Sequence, residues 1–349
     1  MPKTVMYVGC YTDDTENGIQ IFDLDEKSGK LTEKGTAYAS NSSFLMKSPV
    51  KPVIYSVTDI GVASYRIQAD GGLELMNEVS TRAMRGCCLA SDSSGKYIFV
   101  GGFHDGRITM LTLNEDGSVG NVVDRKKHKN PGSGMIRKDM CHVTSIKVTP
   151  DDKYLCASDD GLDQVMIYKI DYEMDCLELI DVLRCDLDYD PARIAFTRDG
   201  KNAYVLSQSM NQISVYLYED VNDAPEFTLL QKISTIGVYH TAATYACSLR
   251  IDSSGKYIIV SNDGDNTVAF YEIEESGTLI LYCVLPISGK YPKDALLSPD
   301  QTHLFSINHD ENSITAFCMN YEEKRFTMCA KPVRIKSPNS ALILDLEKI

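Results

Sequence analysis

The residues whose chemistry could be put to use are few and far apart in the chain. His142 follows Cys141 in "DMCHVTSIKV", Arg193 lies in "DPARIAF", Arg250 in "CSLRID" and Lys293 in "YPKDALL". An imidazole titrates closer to neutral pH than other side chains, which makes His142 a candidate general acid or base. Guanidinium and ammonium groups hold carboxylates, phosphates or a developing oxyanion, and arginine does so through two parallel hydrogen bonds. Each residue also has an ordinary reading, such as a histidine satisfied by a nearby carbonyl. What decides between them is the set of elements that positions these groups.

Those elements repeat. "SPVKPVIYSVTD" from Ser48, "DSSGKYIFVGGF" from Asp92, "TPDDKYLCASDD" from Thr149, "TRDGKNAYVLSQ" from Thr197, "DSSGKYIIVSND" from Asp252 and "SPDQTHLFSINH" from Ser298 share one plan. A polar turn leads into an apolar strand, which ends in a second turn rich in Asp, Asn and Gly. Period-two segments flank each copy: "SIKV", "RIAF", "SLRI" and "DALL" before it, "RITMLTL", "QVMIYKI", "QISVYLY" and "TVAFYEI" after it. Such alternation predicts strands, and no helical pattern of ten residues interrupts it.

Six copies spaced by 44 to 57 residues match a four-stranded propeller blade in length. A seventh unit can be assembled from "TVMYVGCYT" and "GIQIFDLD" near the start and "SALILDLEK" at the end. Pairing the terminal strands would close the ring and remove an exposed sheet edge. The expectation is one all-β, seven-bladed β-propeller over residues 1–349. A WD40 propeller is disfavoured, because the Gly-His and Trp-Asp signatures are missing and the chain has no Trp.

In that geometry the start of each innermost strand and the second turn of each blade share one face beside the central channel. Strand starts contribute Arg85 to Cys88, His142 with Thr144, Ala192 with Arg193, Ser248 with Arg250, and Lys293 with Asp294. Second turns contribute Asp59, His104 with Asp105, Asp159 with Asp160, Gln208, Asn262 with Asp263, and His309 with Asp310. Convergent polar groups in a concave channel make it the expected site. The ordinary reading of each second-turn Asp is a solvated turn residue. Asp159, Asp160, Asp263 and Asp310 offer oxygen ligands for calcium or magnesium, but nothing sets their spacing, and no cofactor is expected.

Composition bounds the partners. The formal charge of -14 opposes a nucleic-acid ligand, and 43% apolar with 24% charged residues is ordinary for a folded soluble domain. The chain has 11 cysteines but no Cys-x-x-Cys, so reduced cysteines packed as small hydrophobes are expected rather than structural zinc. "MPKTVMYVGCYT" has no basic segment followed by an apolar core, and no apolar run reaches membrane-spanning length, so a cytoplasmic location without membrane contact is expected. "DRKKHKNPGSGMIRKD", residues 124–139, is the most basic segment. It reads as a solvated loop, with the alternative that it caps the channel mouth next to His142.

The sequence resembles the seven-bladed propeller lactonases, which include bacterial 6-phosphogluconolactonases and are related to carboxymuconate cyclases. "YVGCYT", "GIQIFDLDEKSGKLT", "SSGKYIFVGGFHDGRITMLTLNEDGSVG", "CHVTSIKVTPDDKYL", "YDPARIAFTRDGKNAYVL", "DSSGKYIIVSNDGDNTVAFYEIEESGTL" and "GKYPKDALLSPD" carry the likeness over nearly the whole chain. "CHVTS" keeps the family's histidine as His142. Other positions depart: the Gly-Pro-Cys-His stretch reads "RGCC", with Cys88 in place of a His, and Gly-Pro-Arg-His reads "DPAR", with Arg193 in place of the His. An Asn-Glu pair reads "SQ", making the carboxylate Gln208, and an Asn-Arg pair reads "ND", giving Asp263.

The resemblance implies a lactone hydrolase acting on a small sugar lactone or related anionic ligand. His142, Arg193 and Gln208 would be catalytic, while Arg85, Cys88, Thr144, Ser248, Arg250, Asp263, Lys293 and His309 would bind substrate. Gln208 can orient a hydroxyl but cannot exchange a proton as Glu would. A degenerate propeller that binds an anion or a protein, and a muconate-type lactonising cyclase, are the alternatives, since fold alone does not choose a reaction.

Overall fold

The computed structural model describes residues 4–12, 18–129, 140–238, 240 and 243–349. Its strands form seven antiparallel sheets, each following the chain outward from an innermost strand. The innermost strands are Leu45–Lys47, Cys88–Ser91, Val143–Val148, Pro191–Phe196, Tyr245–Ile251, Pro292–Leu297 and Pro338–Asp345. The last of these belongs to blade 1. It pairs with Thr4–Cys10, which continues to Ile19–Asp25 and Lys30–Ala37. The sheets starting at Leu45, Cys88, Val143, Pro191, Tyr245 and Pro292 are blades 2 to 7 in that order. The expected terminal pairing is therefore present, and the C-terminal strand is the inner one. Blade 7 adds a fifth piece, Val333–Arg334, which pairs with Ser313 and Ile314 beyond the end of Arg325–Met328.

The recurrent turn has a direct cause. Its first residue carries a side-chain acceptor for the amide that opens the next strand, five positions on. Asp92 accepts from Tyr97 N at 2.7 Å, Thr149 from Tyr154 N at 3.0 Å, Thr197 from Asn202 N at 3.0 Å, Asp252 from Tyr257 N at 2.8 Å and Ser298 from His303 N at 3.0 Å. This satisfies a buried donor that the tight turn would otherwise leave without a partner.

Blades are joined by apolar packing and by buried tyrosines. Each of seven hydrophobic clusters draws its side chains from two adjacent blades. One of them packs Met6, Val8 and Phe22 of blade 1 on Phe305 and Ile307 of blade 7, which closes the ring. Tyr7, Tyr55 and Tyr204 donate to Gly71 O, Gly117 O and Gly277 O of the following blade at 2.8, 2.8 and 2.9 Å. Each such bond contributes about 1 kcal/mol net. Gly277 has φ +84°, and a Cβ there would lie 2.0 Å from Asn202 Cγ, so the turn that presents this carbonyl needs glycine.

The basic segment departs from the loop expected over 124–139. Val119–Lys127 is the outer strand of blade 3, with Asp124 Oδ2 accepting from Leu177 N and Arg125 donating to Thr81 O. Outer-strand residues alternate between neighbouring blades and solvent, so a charged strand is tolerated there. Residues 130–139, and with them the expected cap over the channel, lie outside the described residues.

Deleting residues 338–349 should abolish folding rather than trim it. Thr4–Cys10, buried along its whole length, would lose its pairing with Pro338–Asp345 and become an exposed apolar edge. The expected result is insoluble protein, or a collapsed product without the cooperative thermal transition of the full chain. A soluble truncated protein melting like the full chain would contradict the closure.

Candidate functional site

The channel wall is shaped by bulges. In five blades the innermost strand slips one residue against its neighbour, between Val143 and Ser145, Pro191 and Arg193, Ala246 and Ser248, Pro292 and Asp294, and Pro338 and Ser340. The extra residues are Thr144, Ala192, Cys247, Lys293 and Asn339, and all of them line the central cavity, which measures about 910 Å³. A bulge re-aims a side chain that strict alternation would have placed elsewhere.

Of the cations that line this cavity, Lys47, Lys147, Arg193, Arg198 and Lys293 have no carboxylate partner among the described residues, and Arg193 and Lys293 are the two drawn from the expected site set. Arg193 donates through Nη1 to Thr144 O at 3.0 Å and Ala192 O at 2.8 Å. Its Nε and Nη2 have no partner among the described residues, so the edge that grips an anion by two bonds is open. Lys293 has no ion pair among the described residues, and its ammonium lies 5.7 Å from the ring centre of Tyr11 and 5.3 Å from that of Tyr291. Burial, and then the charge of Arg193, lower the Lys293 pKa from its ordinary value. Arg85 stacks on Tyr11 at 4.7 Å, but its charge is shared with Asp59 at 3.1 Å.

At the rim of this cluster His142 and Asp160 form a dyad. His142 Nδ1 lies 3.0 Å from Asp160 Oδ1, the His142 amide donates to Asp159 Oδ1 at 3.0 Å, and the imidazole stacks on Phe103 at 4.4 Å. Asp160 and Phe103 line the cavity while His142 sits just behind them. With the carboxylate on Nδ1, a neutral ring carries its lone pair on Nε2. Gln208 also lines the cavity, and its carboxamide makes no hydrogen bond among the described residues.

The remaining expected residues are placed differently. Arg250 lines the cavity but is held by Asp294 through a bidentate pair, Nε to Oδ1 at 2.7 Å and Nη2 to Oδ2, and it donates to Ala341 O at 3.0 Å. Its charge is neutralised, which corrects the expectation of a third free anion holder. The Thr144 hydroxyl is committed to Pro191 O at 2.6 Å and the Ser248 hydroxyl to Ser261 at 2.8 Å, so both tie strands together. His309 does not line the cavity. It accepts an edge-to-face position against Tyr11 and Tyr291, with Nδ1 3.0 Å from Pro338 O, and so backs the two rings that do. Asp263 is also outside the lining and caps its own turn through Gly264 N at 2.7 Å.

The four acids weighed as possible calcium or magnesium ligands form no common cluster among the described residues. Asp159 is fully buried between the His142 amide and His128, whose Nδ1 is 2.6 Å away. Among the described residues no three-member ligand cluster contains Asp159, Asp160, Asp263 or Asp310.

The alternation reading missed Tyr11, Tyr291, Phe103 and Cys247, while Cys87, within the expected stretch Arg85 to Cys88, does line the cavity. The adjacent thiol of Cys88 and the positive Arg193 pull the Cys87 pKa down, whereas burial pushes Cys88 up. Cys87 Sγ lies 3.0 Å from Val143 O, a contact favourable only for the protonated thiol, so Cys87 acts as an S–H donor here. Burial raises Cys247 to about 11. These thiols make the wall compact and weakly polar.

A closed ring of seven four-stranded antiparallel blades around a polar central cavity defines a seven-bladed β-propeller. The chain belongs to the lactonase family of seven-bladed β-propellers, whose family model, described as "Lactonase, 7-bladed beta-propeller", matches residues 5–343. It is 26% identical to the 6-phosphogluconolactonase of Bacillus subtilis, over 97% of both chains. It is 29% identical to an uncharacterised protein of Staphylococcus saprophyticus, over 90% of this chain and 91% of that one. Its fold superposes on the periplasmic gluconolactonase of Pseudomonas aeruginosa with a TM-score of 0.89 at 23% identity, over 98% and 99% of the chains, a likeness of fold. Among the described residues no helix is long and apolar enough to cross a membrane.

Proposed function

We propose that the protein hydrolyses a sugar lactone bearing an anionic group, such as a phosphorylated gluconolactone, and so acts in carbohydrate metabolism. The observation that carries this reading is the pair Arg193 and Lys293, two cations facing a cavity without carboxylate partners. Buried charge of one sign is costly unless an opposite charge arrives with the ligand. The lactone's phosphate or carboxylate would bridge the Arg193 Nε/Nη2 edge and the Lys293 ammonium, with Tyr11 and Tyr291 as apolar walls.

His142 Nε2 takes a proton from water as its oxygen bonds to the acyl carbon. The acyl–ring oxygen bond then breaks, and the imidazolium returns the proton to the departing ring oxygen. Asp160 holds the ring tautomer and stabilises the imidazolium. Gln208 orients a substrate hydroxyl or donates to the oxyanion. Eleven free cysteines favour a reducing, cytoplasmic location.

The second reading, an anion binder without turnover, draws support from His142 being absent from the cavity lining while Phe103, on which it stacks, is part of it. Hydrolysis of 6-phosphogluconolactone above the buffer rate by wild type, lost in a His142 variant, supports the enzyme. Calorimetric binding of 6-phosphogluconate with no turnover supports the binder.

Two ligand predictions follow from the free cations. Arg193→Ala should raise KM for a phosphorylated lactone by roughly 10- to 100-fold, the loss of a charged hydrogen-bonded contact, with a smaller effect on an uncharged lactone. Bound anion stabilises protonated Lys293, so affinity is complete below the lowered pKa of the free protein. It falls as pH rises through that value, below the ordinary lysine range. Titrating 6-phosphogluconate against pH should show this fall in wild type and a flatter curve in Lys293→Met; identical curves would remove Lys293 from the anion site.

A further inference from the structure

Away from the channel, blade 7 carries a second constellation. His303, Cys318 and Cys329 have potential ligand atoms all within 4.8 Å of one another, and none of the three lines the central cavity. Sheet geometry puts them together: His303 pairs across strands with Cys318, Cys318 pairs with Thr327, and Cys329 follows two residues later on the same face.

The imidazole is arranged as a ligand. Thr302 Oγ1 donates to Asp300 Oδ2 at 2.8 Å, which leaves it only an acceptor towards His303 Nδ1, also at 2.8 Å. His303 is therefore protonated at Nδ1 and carries its lone pair on Nε2. That Nε2 is buried without a hydrogen-bond partner, in a residue only 2% exposed. A bare lone pair in that position is costly unless something occupies it.

Blade 1 covers the buried side of the cluster. Gly29, with φ +66°, passes close over the cluster: a Cβ there would lie 2.5 Å from His303 Cδ2, 3.0 Å from Nε2 and 3.1 Å from Cys329 Sγ, so only glycine lets the blade 1 turn cover the imidazole. Cys318 is partly buried and Cys329 is exposed, so an ion reaches the cluster from solvent on the Cys329 side.

We propose that His303, Cys318 and Cys329 form a three-ligand site for a thiophilic metal ion of the zinc(II) class, with one coordination position open to solvent. Two thiolates and an imidazole are a soft donor set that selects zinc or copper(I) over calcium or magnesium. Tetrahedral zinc would hold the two sulfurs roughly 3.8 Å apart, so closure needs a contraction of about 1 Å at most. The Asp300–Thr302–His303 chain supplies the outer hydrogen bonds that fix a metal-bound histidine.

The test uses the full chain, kept reduced, with zinc or cobalt(II) as the probe. Wild type should retain one equivalent of zinc after gel filtration, measured by elemental analysis, and bound cobalt should show thiolate charge-transfer absorption. His303→Gln, Cys318→Ser and Cys329→Ser should each lose at least tenfold in affinity, whereas Cys176→Ser should not. Thr302→Val, which keeps every ligand, should weaken binding by roughly 10- to 100-fold. Zinc should also slow alkylation of the exposed Cys329 in wild type but not in His303→Gln, a readout indifferent to lactone turnover. Circular dichroism and melting of the metal-free variants separate lost binding from lost folding. No zinc retained by reduced wild type, unchanged affinity in both cysteine variants, or a Cys318–Cys329 disulfide whose reduction creates no metal binding would each overturn the site.

Discussion

Replacing His142 with alanine is expected to lower kcat for lactone hydrolysis by roughly 10²- to 10⁴-fold, the range a positioned general base contributes, while KM changes little. The imidazole sits behind the cavity lining rather than among the anion-holding cations, so its loss removes proton transfer and leaves the ligand cradle in place. Asp160→Asn should act in the same direction, because the amide no longer stabilises the imidazolium and can donate to Nδ1, which fixes the wrong tautomer. Steady-state kinetics on 6-phosphogluconolactone, corrected for its spontaneous hydrolysis, measures both. A His142→Ala enzyme with wild-type kcat would end the assignment of this dyad. A rise in KM with unchanged kcat would move His142 from chemistry to binding.

Arg250→Ala should reduce stability by about 3 kcal/mol, even though Arg250 lies in the channel wall where a ligand role was expected. Its partner Asp294 has a side chain only 6% exposed, against 29% for Arg250, so truncating the arginine strands a nearly buried carboxylate. Asp294 keeps backbone donors from Ala295 N at 3.0 Å and Ala341 N at 3.2 Å, which limits the loss. The bond from Arg250 to Ala341 O also ties blade 6 to the C-terminal strand of blade 1, so ring closure weakens together with the pair. Urea denaturation gives the change directly. The double variant Arg250→Met/Asp294→Leu should recover part of the stability, because a buried pair is often replaced by apolar groups at little cost. A neutral Arg250→Ala would show that the pair is solvated and available to ligand after all.

These two residues show how far local pattern reaches. The arginine type at 250 announces an anion partner, but the partner proves to be Asp294, 44 positions along the chain on the next blade's inner strand. Nothing near Arg250 in sequence distinguishes it from Arg193, whose open edge faces the cavity. The difference lies in which neighbour each meets across a blade boundary. Lys293 depends likewise on the bulge between Pro292 and Asp294, which turns its side chain into the channel. Cys247, on an equivalent bulge, was passed over because alternation counted from Ser248 points past it.

The blade count and the strand order within each blade were legible because they rest on pairing between strands consecutive in the chain, and the terminal pairing of Thr4–Cys10 with Pro338–Asp345 was legible because a ring of such units leaves one edge to close. Ser, Thr and Asp at the head of each turn cap the amide five positions on, and period-two apolar residues then bury both faces between blades. The sequence by itself thus determined the propeller, its ring closure and the mouth where polar groups collect. Only the tertiary structure decided which of those groups carry uncompensated charge, which tyrosines wall them in, and that His303 meets two thiols on blade 7. Those outcomes depend on bulges and on contacts between separate blades, where a slip of one residue changes what a side chain faces and therefore whether its charge is cancelled.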